Sequence, residues 1–188
     1  IFEIGCGSGY STFTLVLRDF DVVSIDANKS AIEATQKLIA EHDYIPVEDY
    51  AKLIQADIVH DYKKVKDELA SNPCDAILLC NPGGSPKTNL TKQEETWLRW
   101  GNFTDDEFTI DNLHQLHTYA MIFAPCGLAL ESEIPLLIVQ RDKHDEILNT
   151  LQQIANDTGV RLLNNCLRQI KAQPAGGIRL SGDNTELY

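Results

Sequence analysis

Residues 1 to 9 read Ile1-Phe2-Glu3-Ile4-Gly5-Cys6-Gly7-Ser8-Gly9, an apolar strand that runs straight into three glycines at alternate positions. A strand-to-helix turn of this kind lets the backbone come into van der Waals contact with a ligand, because glycine lacks a Cβ and tolerates positive φ. The helix expected next, from Tyr10 to Arg18, aims free N–H groups and its positive dipole end at the same place. A nucleotide-like ligand is therefore expected at the turn. Dinucleotide-binding folds space their glycines as G-x-G-x-x-G. Here the third glycine arrives one residue early, and position 10 is a tyrosine.

The strands that follow each end in a polar residue. Asp21 to Asp26 is a buried strand whose closing carboxylate, Asp26, stands roughly 20 residues from the glycine turn, where a ribose-binding acid belongs. From there it can accept protons from both ribose hydroxyls, while Asn28 or Ser30 is free to cap the next helix. Lys52 to Ile58 forms a third strand ending in Asp57 and Ile58. Cys74 to Cys80 is almost wholly apolar, as a strand covered on both faces must be, and it runs into Asn81-Pro82-Gly83-Gly84.

Strand and helix continue to alternate downstream. A helix is expected over Tyr62 to Ala70, another from Thr109 to Phe123, and a strand over Ile134 to Gln140. Between Lys143 and Asp157 an apolar stripe at Ile147, Leu148, Leu151, Ile154 and Ala155 predicts an amphipathic helix, with Gly159 as its left-handed terminator. Val160 to Ile170 and Gly177 to Leu180 read as a closing β-hairpin. The expected fold is α/β, a single domain over 1–188. It has a doubly wound, mostly parallel seven-stranded sheet, helices on both faces and a C-terminal antiparallel hairpin. Its first residue falls inside a central strand, so an upstream helix or domain is expected.

The segment Glu3 to Tyr10 resembles the first motif of class I S-adenosylmethionine-dependent methyltransferases, and the resemblance extends through the closing hairpin. It implies S-adenosyl-L-methionine as cofactor, with Glu3, Gly5, Cys6, Gly7, Gly9, Tyr10, Asp26, Ala27, Asp57, Ile58 and Asn81 around it. In that family the Asp57-Ile58 pair receives the adenine, the carboxylate taking its amine and the apolar side chain lying on the ring. Asn81 and Pro82 match the start of the Asp/Asn-Pro-Pro-Tyr/Phe motif of amino-group methyltransferases, which implies a catalytic role for both in orienting a nitrogen acceptor. Gly83 and Gly84 depart from that motif and remove the aromatic that would stack on a planar base. A protein side chain or small-molecule amine is thus the expected acceptor. The alternatives are an inactive scaffold of the same fold, a nucleic-acid amino methyltransferase with a separate upstream recognition module, and a nicotinamide-dependent oxidoreductase.

One segment, about 85–108, is long for a strand-to-helix connection. It holds Trp97, Trp100, Phe103 and Phe108, with capping-box patterns at Thr91 to Glu94 and Thr104 to Glu107. Thr91 to Trp100 is expected to be a short helix, and the whole segment a lid on the acceptor side.

Charge narrows the partners. With 16 basic and 28 acidic residues the formal charge is -12. Nucleic-acid binding draws its affinity from Lys and Arg on phosphates, and no basic stripe is present. No apolar run reaches the roughly 20 residues of a membrane span, so no membrane partner is expected. Five scattered cysteines, 6, 74, 80, 126 and 166, form no C-x-x-C pair and read as reduced thiols of a cytoplasmic protein. His114 and His117 share a helical face but lack a third ligand, so no metal is expected and both read as surface histidines.

Overall fold

The structure, a computed structural model, describes residues 1–41, 51–80, 82–83, 88–139 and 145–159. The chain divides into two compact units, Ile1–Gln140 and Arg141–Tyr188. The first holds β1 (Phe2–Ile4), α1 (Tyr10–Val16), β2 (Val22–Asp26), α2 (Lys29–Ala40) and β3 (Ala51–Gln55). These are followed by α3 (Tyr62–Ser71), β4 (Ile77–Cys80), α4 (Lys92–Trp100), α5 (Leu113–Ser132) and β5 (Leu136–Val139). In the second unit the described element is α6 (Asp145–Thr158), where Ile154 and Ala155 of the predicted stripe are buried and Gly159 takes φ 70°.

The fold class is α/β. Its five described strands form one sheet in the order β3-β2-β1-β4-β5, and every pairing is parallel. The predicted closing hairpin, residues 160–170 and 177–180, lies outside the described residues. The central strand β1 pairs Phe2, Glu3 and Ile4 with Val23, Ser24 and Ile25 on one side and with Ile77, Leu78 and Leu79 on the other. Successive strand residues face opposite sides of a sheet, and all three residues of β1 are buried, so both faces of the sheet are covered at its centre. Strand order reverses between β1 and β4, because β1 leads to β2 on one side and the chain returns to place β4 on the other. Open sheets of this kind bind ligands outside the carboxyl ends of the strands at such a switch point.

One expectation about a helix needs correction. The helix placed at Thr109 to Phe123 begins at Leu113 and continues to Ser132, carrying Pro125 inside it. Pro125-Cys126-Gly127 is local punctuation for a helix end, but this helix is buried on nearly all sides. Ile122, Phe123, Ala124 and Leu128 are all at or below 1% exposure, so tertiary packing outweighs the lost backbone bond. The aromatic residues of the 85–108 segment turn toward α5 and α3. Trp97 lies 4.8 Å from Tyr62, Trp100 lies 6.2 Å from Phe123, and Phe103 lies 5.4 Å from Tyr119, between ring centroids. These rings anchor the segment to the helical layer.

The fit is tight at Gly101, the C-terminal cap of α4. A Cβ there would stand 2.7 Å from Cδ2 of Phe123, whose ring is fully buried. Gly101→Ala has an ordinary φ of -79°, so its cost is steric and should be that of an overpacked core, about 1–3 kcal/mol. A urea unfolding curve checks this; a midpoint equal to wild type would mean that Phe123 has room to move.

Candidate functional site

The residues singled out in the sequence converge on the carboxyl edge of the sheet. Gly5 to Gly9 follow β1, Asp26 closes β2, Asp57 lies two residues beyond β3, and Pro82 two beyond β4. Asn81, the predicted acceptor-orienting residue, lies outside the described residues, as does Gly84.

The glycine turn is built as a cradle. Gly5, Gly7 and Gly9 have φ of 86°, 53° and 83°, in the region that favours glycine. The demand is strongest at Gly9, where an added Cβ would lie 2.8 Å from Cα of Thr35 in α2. That glycine lets α1 and α2 meet. At Gly7 an added Cβ would meet nothing within 4 Å, so this peptide faces open space in which a ligand can approach the backbone.

Asp26 ties the cradle to the neighbouring strand. Its Oδ2 accepts the Gly7 N–H at 2.9 Å and the Cys6 thiol at 3.9 Å, and its Oδ1 accepts the Asn28 N–H at 2.8 Å. Asn28 caps α2 by accepting from the Ser30 N–H, as expected. Oδ1 retains acceptor capacity beyond its one bond, and on Oδ2 the long thiol contact is the weaker of the two, so Asp26 is held in place without being used up. Ala27 is exposed beside it, and its carbonyl accepts from Gln55 at 3.4 Å. Tyr10, 68% exposed, stands on the rim at the start of α1.

Glu3 lies behind the turn and is fully buried. Its Oε2 accepts the hydroxyls of Thr12 at 2.5 Å and Ser24 at 2.8 Å, which clamps β1, α1 and β2 around the glycines. Its Oε1 is buried and accepts no hydrogen bond from the described residues. Nearby thiols respond to these surroundings. Burial, and then the Glu3 charge, push the Cys80 thiol up to about 11. Burial likewise raises Cys6. Both remain protonated at neutral pH, so neither is a ready nucleophile.

Asp57 is engaged with its own turn. Its Oδ1 accepts the N–H groups of Val59 at 2.8 Å and His60 at 3.1 Å, and its Oδ2 is 4.0 Å from Nε2 of His60. Ile58 is buried at 4% exposure, so most of its side chain packs inward. Pro82 is buried and Gly83 exposed, with open space where a Cβ would be.

Sequence reasoning missed several supporting residues. Thr12, Ser24 and Thr35 are fully buried hydroxyls; Ser24 could have been noticed as the one polar residue inside the apolar run Val22 to Ile25. It also missed the partner of His117. That histidine is buried, contrary to the expected surface position, and its Nδ1 contacts Oε1 of the fully buried Glu94, 23 residues away. Among the described residues no group of three or more His, Cys, Asp or Glu could hold a metal ion, and no helix is long and apolar enough to cross a membrane. No protein-family model matches the chain, and no curated protein matches it.

Proposed function

We propose that the protein is a cytoplasmic S-adenosylmethionine-dependent methyltransferase of the class I type, acting on a nitrogen acceptor of a protein or small molecule. The observation that carries this reading is the buried Glu3 carboxylate behind the glycine turn, with Oε1 lacking a partner among the described residues. A buried anionic oxygen without a partner is costly and calls for an explanation. A positively charged group brought into the turn offsets it. Asp26 and Asp57 add two more carboxylates at the same edge, and the turn segments Gly5–Tyr10, Asp26–Asn28 and Ala56–Val59 contain no Lys or Arg. Such a site disfavours the pyrophosphate of a dinucleotide and favours a nucleoside bearing cationic sulfonium and ammonium groups. The early third glycine supports the same choice.

S-adenosylmethionine supplies an electrophilic methyl on a sulfonium sulfur. The chain's part is placement and exclusion of water. In this reading Gly5, Gly7 and Gly9 admit the amino-acid portion, Asp26 accepts the ribose hydroxyls, and Asp57 with Ile58 bounds the adenine. Asn81, followed by Pro82, holds the acceptor so that a nitrogen lone pair faces the methyl. The new N–C bond forms as the S–C bond breaks, and the proton leaves the acceptor to solvent. The antiparallel hairpin that completes the seven-stranded sheet belongs to the same proposal.

Calorimetric titration with S-adenosylhomocysteine and, separately, NAD tests it. S-adenosylhomocysteine should bind and NAD should not. Glu3→Gln keeps the shape but removes the charge, and should weaken S-adenosylhomocysteine binding about tenfold or more, the worth of one charged hydrogen bond. Tighter binding of NAD than of S-adenosylhomocysteine would sink the reading.

A further inference from the structure

We infer that residues 88–112 form a strap that detaches from α5 as one piece, with the Glu94–His117 contact as its release point. The inference does not depend on which ligand the glycine turn takes. It rests first on how completely the strap satisfies itself. Three reciprocal caps close its short helices: Thr91 with Glu94, Thr104 with Glu107, and Thr109 with Asn112. The Phe103 N–H bonds the Leu98 carbonyl, and the Asn112 side chain bonds the Glu107 carbonyl. Arg99 bonds Asp105 at 2.8 Å, approaches Glu95 at 3.4 Å, and lies 5.5 Å from the centroid of the Phe108 ring. The polar contacts cited here begin and end inside the strap, so none of them holds it to α5, and once lifted off, helices this short are too marginal in water to keep their amides protected.

The attachment is of a different character. Trp100 and Phe103 meet Phe123 and Tyr119 through rings, and Leu98 is fully buried. Against this apolar background stands Glu94, with 0% exposure. Its Oε2 accepts both the N–H and the hydroxyl of Thr91 within the strap, and its Oε1 meets Nδ1 of His117 across the interface. Drying a carboxylate and an imidazole to bring them together is costly, and an apolar pair of equal volume would hold two helices as well or better. A junction built this way stays near balance. It holds while the pair is intact and weakens when His117 is lost, because the contact that the buried Oε1 of Glu94 makes across the interface goes with it.

The junction also has a telling location. Helix α5 feeds directly into β5, a parallel strand, so its first turns lie at the carboxyl edge of the sheet, where the candidate site is. His117 is the fifth residue of that helix.

Amide hydrogen exchange on the whole chain, followed by mass spectrometry across 0–2 M urea, tests this. In the wild-type protein, peptides covering 91–112 should exchange through an opening that depends weakly on urea and is faster than exchange of the β1, β2 and β4 peptides. In His117→Ala, exchange of 91–112 should quicken on the order of a hundredfold, while the sheet peptides stay within about twofold of wild type. Lys92→Ala, on the exposed side of the same strap, serves as the control and should leave both rates unchanged. Exchange of the strap and the sheet in one strongly urea-dependent event would overturn the inference, as would a folded His117→Ala protein with unchanged strap exchange. If His117→Ala does not fold, the urea dependence of the wild-type protein alone decides.

Discussion

Gly9→Ala should cost the protein both stability and ligand binding, and it is the most damaging single-methyl change expected at the site. Two penalties combine. The backbone at Gly9 has φ 83°, and a left-handed conformation costs a residue with a Cβ about 1–2 kcal/mol. The new methyl would also stand 2.8 Å from Cα of Thr35. That obstacle is backbone in a helix and cannot rotate away, so an overpacking cost of about 1–3 kcal/mol is added. Urea denaturation should show the sum, about 2–5 kcal/mol, and S-adenosylhomocysteine titration should show lost affinity, because relief of the clash must displace the turn. Gly7→Ala makes the informative comparison. Its φ of 53° carries the same left-handed cost of about 1–2 kcal/mol, but its methyl would enter open space, so the overpacking cost is absent while the ligand is pushed out. Equal effects of the two substitutions on stability would contradict this division between a packing glycine and a ligand-facing one.

Asp26→Ala is expected to act on binding far more than on folding. The N–H groups of Gly7 and Asn28 that it leaves behind are at exposed positions, where water can replace the carboxylate. The ligand has no such substitute. Two charge-assisted hydrogen bonds to ribose hydroxyls, each worth about 1.5–3 kcal/mol, should vanish together, weakening S-adenosylhomocysteine about a hundredfold or more. Asp26→Asn retains one acceptor oxygen and should fall between. If calorimetry finds Asp26→Ala and wild type alike, Asp26 serves only to staple the glycine turn to β2.

Features that depend on neighbours in sequence could be read directly. The left-handed glycines of the turn, Asn28 as a cap and the two boxes at Thr91 and Thr104 all rest on backbone geometry within a few residues. Each was legible because a strand end or a cap draws on local backbone geometry. Features that depend on distant packing could not be read. The ring of Trp97 has the same appearance in sequence whether it covers a ligand or packs on Tyr62. Glu94 is visible as the capping partner of Thr91, yet its second oxygen meets His117 only because α4 and α5 pack together. Pro125 reads as a stop, and only the burial of the surrounding helix explains why it is not one. At Asp57 the two backbone N–H groups on its Oδ1 come from Val59 and His60, so that carboxylate is fixed by its own turn.

The strand order also determines when this protein can acquire its shape. The middle of the sheet is β1, the first of the described strands, and one of its two neighbours is β4, with Phe2 opposite Ile77. On the ribosome, at roughly 5–20 residues per second, β1 therefore waits on the order of 4–15 seconds for its second partner. Until then, an apolar strand destined for complete burial has one side bonded at most. Closing so long a loop also slows the search for the native pairing. The candidate site at the carboxyl edge matures late for the same reason, since Pro82 arrives with β4. Nascent chains stopped shortly before residue 77 should accordingly be the most prone to associate with one another or to recruit chaperones.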